Sequence, residues 1–164
     1  ALLACASETV VPATGTLVDV ADVVEAGAVA PVNGISSSGQ PDEAALRVFA
    51  DSGYSAVIDM RGPDEDRGMA NERATVEGMG LDYIAFPIAS GAEINFDTAK
   101  ELDALLQGID GPVLLHCGSG NRVGALLALR HSLNGASDDE ALERGREAGL
   151  TGLEPLIKER LGEK

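Results

Sequence analysis

Val113-Leu114-Leu115-His116-Cys117-Gly118-Ser119-Gly120-Asn121-Arg122-Val123-Gly124 is the stretch that decides the fold. Its first part is a short apolar run, as expected of a strand buried on both faces of a parallel sheet. A glycine-rich turn follows at once, and helical spacing begins near Arg122, with Val123, Leu126, Leu127 and Leu133 on one side. In an open parallel sheet, the edge beyond the carboxyl ends of the strands is where ligands bind. Backbone N–H groups of a glycine-rich turn form an anion nest, and a helix N-terminus adds partial positive charge. Arg122 adds a planar fork suited to tetrahedral oxyanions. The same field favours a thiolate at Cys117, which makes this cysteine the candidate nucleophile. His116, at the strand end, reads as an orienting hydrogen-bonder.

Two more strand runs precede this one. Ser55-Ala56-Val57-Ile58-Asp59-Met60 and Asp82-Tyr83-Ile84-Ala85-Phe86-Pro87-Ile88 are both short and largely apolar. Helix signals lie between them. Pro41, Asp42 and Glu43 open one helix, with Leu46, Phe49 and Ala50 inward and Gly53 as its stop. Asp97 or Thr98 is expected to cap another, with Leu102, Leu105 and Leu106 inward and Gly108 at its end. Ser137 and Glu140 form a capping box, and Leu153, Leu156, Ile157 and Leu161 mark a last amphipathic stretch. Residues 16–38 read as short strands and turns. Alternating strands and helices predict an α/β fold, a central, mainly parallel sheet flanked by helices.

The chain has 164 residues, 45% of them apolar, which suffices for one hydrophobic core and excludes a wholly disordered chain. A formal charge of −15 repels nucleic acid and anionic membranes, so nucleic acid is not an expected partner and a membrane is one only through a lipid anchor at Cys5. The two cysteines, Cys5 and Cys117, sit in unlike contexts, and no disulfide is expected. Leu2-Leu3-Ala4-Cys5 resembles a bacterial lipobox, which predicts lipidation of Cys5 and a periplasmic or cell-envelope lipoprotein. Residues 1–15 are then a signal-peptide remnant and tether, and residues 16–164 a single domain.

Several segments in order resemble the phosphatase domain of the bacterial beta-lactamase hydrolase-like family, a branch of the protein tyrosine and dual-specificity phosphatase superfamily. They are Ser38-Gly39-Gln40-Pro41, Ala56-Val57-Ile58-Asp59-Met60-Arg61, Gly80-Leu81-Asp82-Tyr83, Phe86-Pro87-Ile88 and His116-Cys117-Gly118-Ser119-Gly120-Asn121-Arg122. The resemblance implies a protein tyrosine phosphatase-like fold and a phosphocysteine mechanism without metal or other cofactor. Cys117 would attack phosphorus in a small anionic or phosphorylated substrate. His116, Gly118, Ser119, Gly120, Asn121 and Arg122 would form the substrate cradle.

Three departures separate the chain from that family pattern. Four residues, not the usual five, lie between Cys117 and Arg122, a length closer to rhodanese sulfurtransferases. Val123 stands where many phosphatases carry a hydroxyl. The usual aspartic general acid is missing after the Tyr83 strand, where Glu93 is the nearest carboxylate and the expected leaving-group acid. Asp64, Glu65 and Asp66 follow another strand and can reach the same edge. A rhodanese-like carrier with a Cys117 persulfide, or a weakly active oxyanion-binding module, is the alternative to a phosphatase-like hydrolase.

Overall fold

The structure is a computed structural model that describes residues 15–29 and 34–164. Cys5 and the expected tether up to residue 14 lie outside the described residues. Five parallel strands form one sheet in the order β1-β2-β5-β3-β4, with β1 at Gly15–Leu17, β2 at Ile35–Ser38, β3 at Ala56–Asp59, β4 at Asp82–Ala85 and β5 at Val113–His116. The strand adjacent to the site, β5, is therefore central.

Strand alternation sorts the side chains into two cores. Val57 and Leu114 face a cluster built with Val23 of α1 (Val20–Ala26), Leu46 and Phe49 of α2 (Glu43–Asp51) and Val76 of α3 (Glu72–Gly78). Ala56, Ile58, Val113 and Leu115 face the opposite cluster. That one is built with α4 (Phe96–Gln107), α5 (Asn121–Leu133), α6 (Asp138–Glu147) and α7 (Glu154–Leu161). From Val123 to Arg130 every residue of α5 is buried, so this helix is enclosed on all sides. The expected helices fall where the apolar spacing puts them, but two more occur: α1 in the segment read as short strands and turns, and α3 in a segment to which no element was assigned. Asn95, not Asp97 or Thr98, caps α4 by accepting from the Thr98 amide, which leaves Phe96 inside the helix. Asp42 caps α2, and Pro41 precedes the helix.

Strand β2 is Ile-Ser-Ser-Ser and wholly buried. Each hydroxyl has a partner: Ser36 Oγ with Tyr54 Oη at 2.6 Å, Ser37 Oγ with the Thr16 carbonyl at 2.9 Å, and Ser38 Oγ with the Gly39 carbonyl at 2.7 Å. Those bonds offset the cost of burying three polar side chains. In register, Ser38 and Asp59 both face His116, and Ala85 faces Asp59, so four strands end in one row. The loops that leave this row carry the site.

Candidate active site

The chain turns directly from β5 into α5 through Cys117, Gly118, Ser119 and Gly120. Cys117 is a free thiol with 1% of its surface exposed, whereas Gly118 and Ser119 are open to solvent. Gly120 takes the left-handed conformation, φ 86°, which its lack of a Cβ permits. That turn aims the Gly120 N–H at Cys117 Sγ, at 3.1 Å. Among the described residues, the N–H groups of Gly118 and Ser119 meet no acceptor. The first turn of α5 contributes further unpaired N–H groups, as every helix N-terminus does. Gln40 N donates to the Gly118 carbonyl at 3.1 Å and fixes the loop from the β2 side. Gly39 must be glycine there, because a Cβ on it would lie 2.9 Å from the Gly118 oxygen.

Arg122 reaches back over the loop. Its Nη1 donates to Glu65 Oε2 at 2.8 Å and to the Ile88 and Met60 carbonyls at 3.0 and 3.4 Å; its Nη2 donates to Glu65 Oε1 at 2.7 Å. The outer edge of the guanidinium is thereby pinned. One Nη2 hydrogen and Nε–H remain for Cys117, which accepts a side-chain hydrogen bond from Arg122, and they are the pair that a bidentate grip on an oxyanion uses. Glu65 raises the Arg122 pKa above its ordinary value against the cost of burial, and the Cys117 thiol adds to the effect.

Glu65 is a positioning carboxylate, not a proton donor. The hydrogen bonds from Arg122 hold it at about 2, against the cost of burial and with help from the Gly62 amide and Arg61. A folded-state pKa below the ordinary 4.5 adds stability that is complete above pH 4.5 and lost as pH falls toward 2. The urea midpoints of wild type and Glu65→Gln should therefore differ by a constant amount above pH 5 or so and converge in that acid window. A difference that stayed constant down to pH 2 would contradict the pairing. Added salt should shrink it, because the Glu65 side chain is 34% exposed.

Behind the loop lies a second, buried polar group. His116 has 0% exposure; its Nε2 meets Glu72 Oε2 at 3.0 Å and its Nδ1 lies 3.4 Å from the Cys117 carbonyl. Asp59, also fully buried, accepts from Arg67 Nε at 2.7 Å, Tyr83 Oη at 2.5 Å and Arg61 N at 2.8 Å. Burial pushes the Asp59 carboxyl up, but His116, Tyr83, the Arg61 amide and Arg67 together hold it below its ordinary value. Burial, then the bond to Asp59, raise Tyr83. Asp59, Glu72 and His116 bring donor atoms within 4.8 Å of one another, a spacing that could ligate a metal ion. Here the Arg67 guanidinium already provides the cation, 2.7 Å from Asp59 and 3.8 Å from Glu72.

Not every residue expected in the cradle is in it. Cys117, Gly118, Ser119, Gly120 and Arg122 come together. His116 does not face the open side of the loop: it is buried, with its ring bound to Glu72. The side chain of Asn121 turns away as well, its Oδ1 accepting from the Thr151 and Leu153 amides at 2.8 and 3.3 Å. Glu93 is not aimed at Cys117: its carboxylate caps the 3-10 turn Gly91–Glu93, with Oε2 accepting from the Ala89 and Ser90 amides. Sequence reasoning gave no role to Gln40, Arg67 or Glu72. The one signal for them was an acid, Asp59, ending a buried strand.

Comparison with known proteins fits this geometry. The family model for the beta-lactamase hydrolase-like protein, phosphatase-like domain, matches residues 30–134. The chain belongs to this family. Two beta-lactamase hydrolase-like proteins from Xylella fastidiosa strains are each 30% identical over 112 residues, 66% of this chain and 26% of theirs. The chain thus spans about a quarter of the curated relatives it matches. Similar solved structures include a candidate phosphatase from Neisseria meningitidis, with TM-score 0.65, 20% identity, and coverage of 77% of this chain and 92% of that one. Tk-PTP in its active form gives 0.57, 22%, 79% and 92%. Pseudomonas aeruginosa TpbA, in a cysteine-to-serine form bound to pTyr, gives 0.54, 19%, 95% and 100%. These likenesses show a protein tyrosine phosphatase-like fold. Together with the family match they support a phosphatase-type function for this beta-lactamase hydrolase-like phosphatase domain.

Proposed function

We propose that the domain hydrolyses phosphomonoesters, aryl esters foremost, through a phosphocysteine on Cys117. The observation that carries this reading is the Gly120 N–H on Cys117 Sγ, beside an Arg122 fork whose outer edge is held by Glu65 and which also donates to Cys117. In the first step the thiolate attacks phosphorus, and the P–O bond to the leaving group breaks with its electron pair. Loop amides and Arg122 hold the equatorial oxygens as charge builds on them. In the second step water attacks phosphorus, the S–P bond breaks, and thiolate and inorganic phosphate are released.

The leaving group departs largely on its own acidity. Glu65 is ionised at neutral pH, and Glu93 is turned onto its own loop. A missing general acid typically costs about 10²–10⁴-fold, and the cost falls on poor leaving groups. Aryl phosphates such as p-nitrophenyl phosphate or phosphotyrosine should therefore exceed alkyl phosphates in kcat/KM by about that factor. The pTyr bound to TpbA is consistent with this preference. Glu93→Gln should leave the ratio unchanged; a ratio that rises in Glu93→Gln would restore Glu93 as the acid. The four-residue loop also suits a persulfide, so the same preparation is assayed with thiosulfate and cyanide. Sulfur transfer without phosphate release from any monoester would replace the phosphatase reading with the rhodanese one.

A further inference from the structure

Arg122 is not the only guanidinium at the loop. Arg61 leaves the end of β3 and folds back beside Gly118. A methyl group at Gly118 would lie 3.7 Å from Arg122 Nη2 and 3.8 Å from both Cζ and Nη2 of Arg61, so the two guanidiniums flank the same exposed residue. Arg61 has five N–H donors. Nε donates to Glu65 Oε1 at 3.3 Å and Nη1 to Gln40 Oε1 at 3.1 Å. The other three, including both on Nη2, meet no acceptor among the described residues. Yet the side chain is only 17% exposed. These unmatched donors reach solvent beside the exposed Gly118, where an incoming acceptor can meet them.

The surroundings hold Arg61 in that pose. Gln40 accepts from Arg61 through Oε1, while its Nε2 donates to Glu72 Oε1 at 2.7 Å. Glu65 Oε1 accepts from Arg61 and Arg122 alike. Hydrogen bonds therefore run unbroken from His116 through Glu72, Gln40, Arg61 and Glu65 to Arg122, that is, from one end of the Cys117 loop to the other. Two guanidiniums balance the Glu65 carboxylate and the Cys117 thiolate, so the cradle carries no net negative charge on a chain whose formal charge is −15.

We infer that Arg61 is a second anion-binding arginine, gripping the same tetrahedral oxyanion as Arg122; this rests on the phosphatase reading above. Its free Nη2 supplies the donors that a loop of only four residues gives up. The group recognised is the dianion of a phosphomonoester, whose second charge answers the second guanidinium. A Cβ at Gly118 would be in ordinary contact with both guanidiniums, so this exposed backbone lies between them.

Inorganic phosphate titrated calorimetrically into the full chain tests the assignment without requiring turnover. Arg61→Gln should weaken phosphate binding tenfold or more at unchanged thermal midpoint, and Arg61→Lys, which keeps the charge and loses the fork, should fall between the two. An Arg61 that acted only by way of Glu65 would have no further effect once Glu65 is neutral. In the Glu65→Gln background, Arg61→Gln should still weaken binding severalfold if it touches the anion. Equal affinity in wild type and Arg61→Gln, or an effect that vanishes in the Glu65→Gln background, overturns the inference and leaves the phosphatase reading standing. Failure of the wild type itself to bind phosphate would overturn both.

Discussion

Cys117→Ser should abolish turnover of p-nitrophenyl phosphate, with an expected loss of roughly 10⁴-fold or more, and leave the fold intact. The size follows from chemistry. Serine is nearly isosteric, and its Oγ can still accept from the Gly120 N–H, so the loop keeps its shape. The hydroxyl lacks an accessible anionic form, and among the described residues no base stands beside it to create one. His116, the nearest in sequence, has its ring engaged by Glu72 and the Cys117 carbonyl in the closed interior. The variant should therefore still bind inorganic phosphate, because the amides and guanidiniums are untouched. Retained turnover in Cys117→Ser would remove Cys117 from the nucleophile's role.

The second large effect belongs to Arg122→Lys. Lysine preserves the charge but is a point donor on a flexible stem, without a planar fork. It cannot at once bond both Glu65 oxygens and the Ile88 and Met60 carbonyls and still offer a bidentate edge toward Cys117. Loss of one preorganised oxyanion donor costs about 10²–10³-fold in kcat. A loss of that order in kcat, larger than any rise in KM, is expected for Arg122→Lys, since the fork matters most when charge builds on the phosphoryl oxygens. An unchanged kcat with only KM raised would reduce Arg122 to a ground-state binder.

Much of this was legible in the sequence where one short segment carried the whole signal. Strand, glycine turn and helix follow one another within 113–124, so local order alone placed Cys117 at the sheet edge and Arg122 in the first turn of α5. Strand β2 was legible only as one of the short strands and turns expected over residues 16–38: Ile-Ser-Ser-Ser has the composition of a turn, and its burial is supported by hydrogen bonds from its hydroxyls to Tyr54, Thr16 and Gly39. Helices α1 and α3 were missed for a related reason. Each buries one apolar side chain, Val23 or Val76, too few to print a period. The cap of α4 was misplaced because Asn95 outranks Asp97 and Thr98 only once Phe96 is seen to be helical.

The support around the loop is illegible on different grounds. Gln40 meets Arg61 across 21 positions and Glu72 across 32, and Glu72 meets His116 across 44. No local spacing connects such residues; the parallel register that ends β2, β3 and β5 in one row brings them together. Glu93 shows the converse. Its place in the sequence suggested an acid, but a carboxylate three residues after Ser90 finds the nearest amides first and closes a capping box.

Rapid-quench labelling tests the central claim most directly. The full chain is mixed with an aryl phosphate labelled at phosphorus, quenched within the first turnover, and digested for peptide mapping. The account predicts label on the peptide that contains Cys117, in an amount approaching one per chain, lost when water is allowed to complete the cycle and absent in Cys117→Ser. Phosphate released at full rate with no label ever on Cys117, or a Cys117 persulfide formed from thiosulfate by a protein that releases no phosphate, would contradict it.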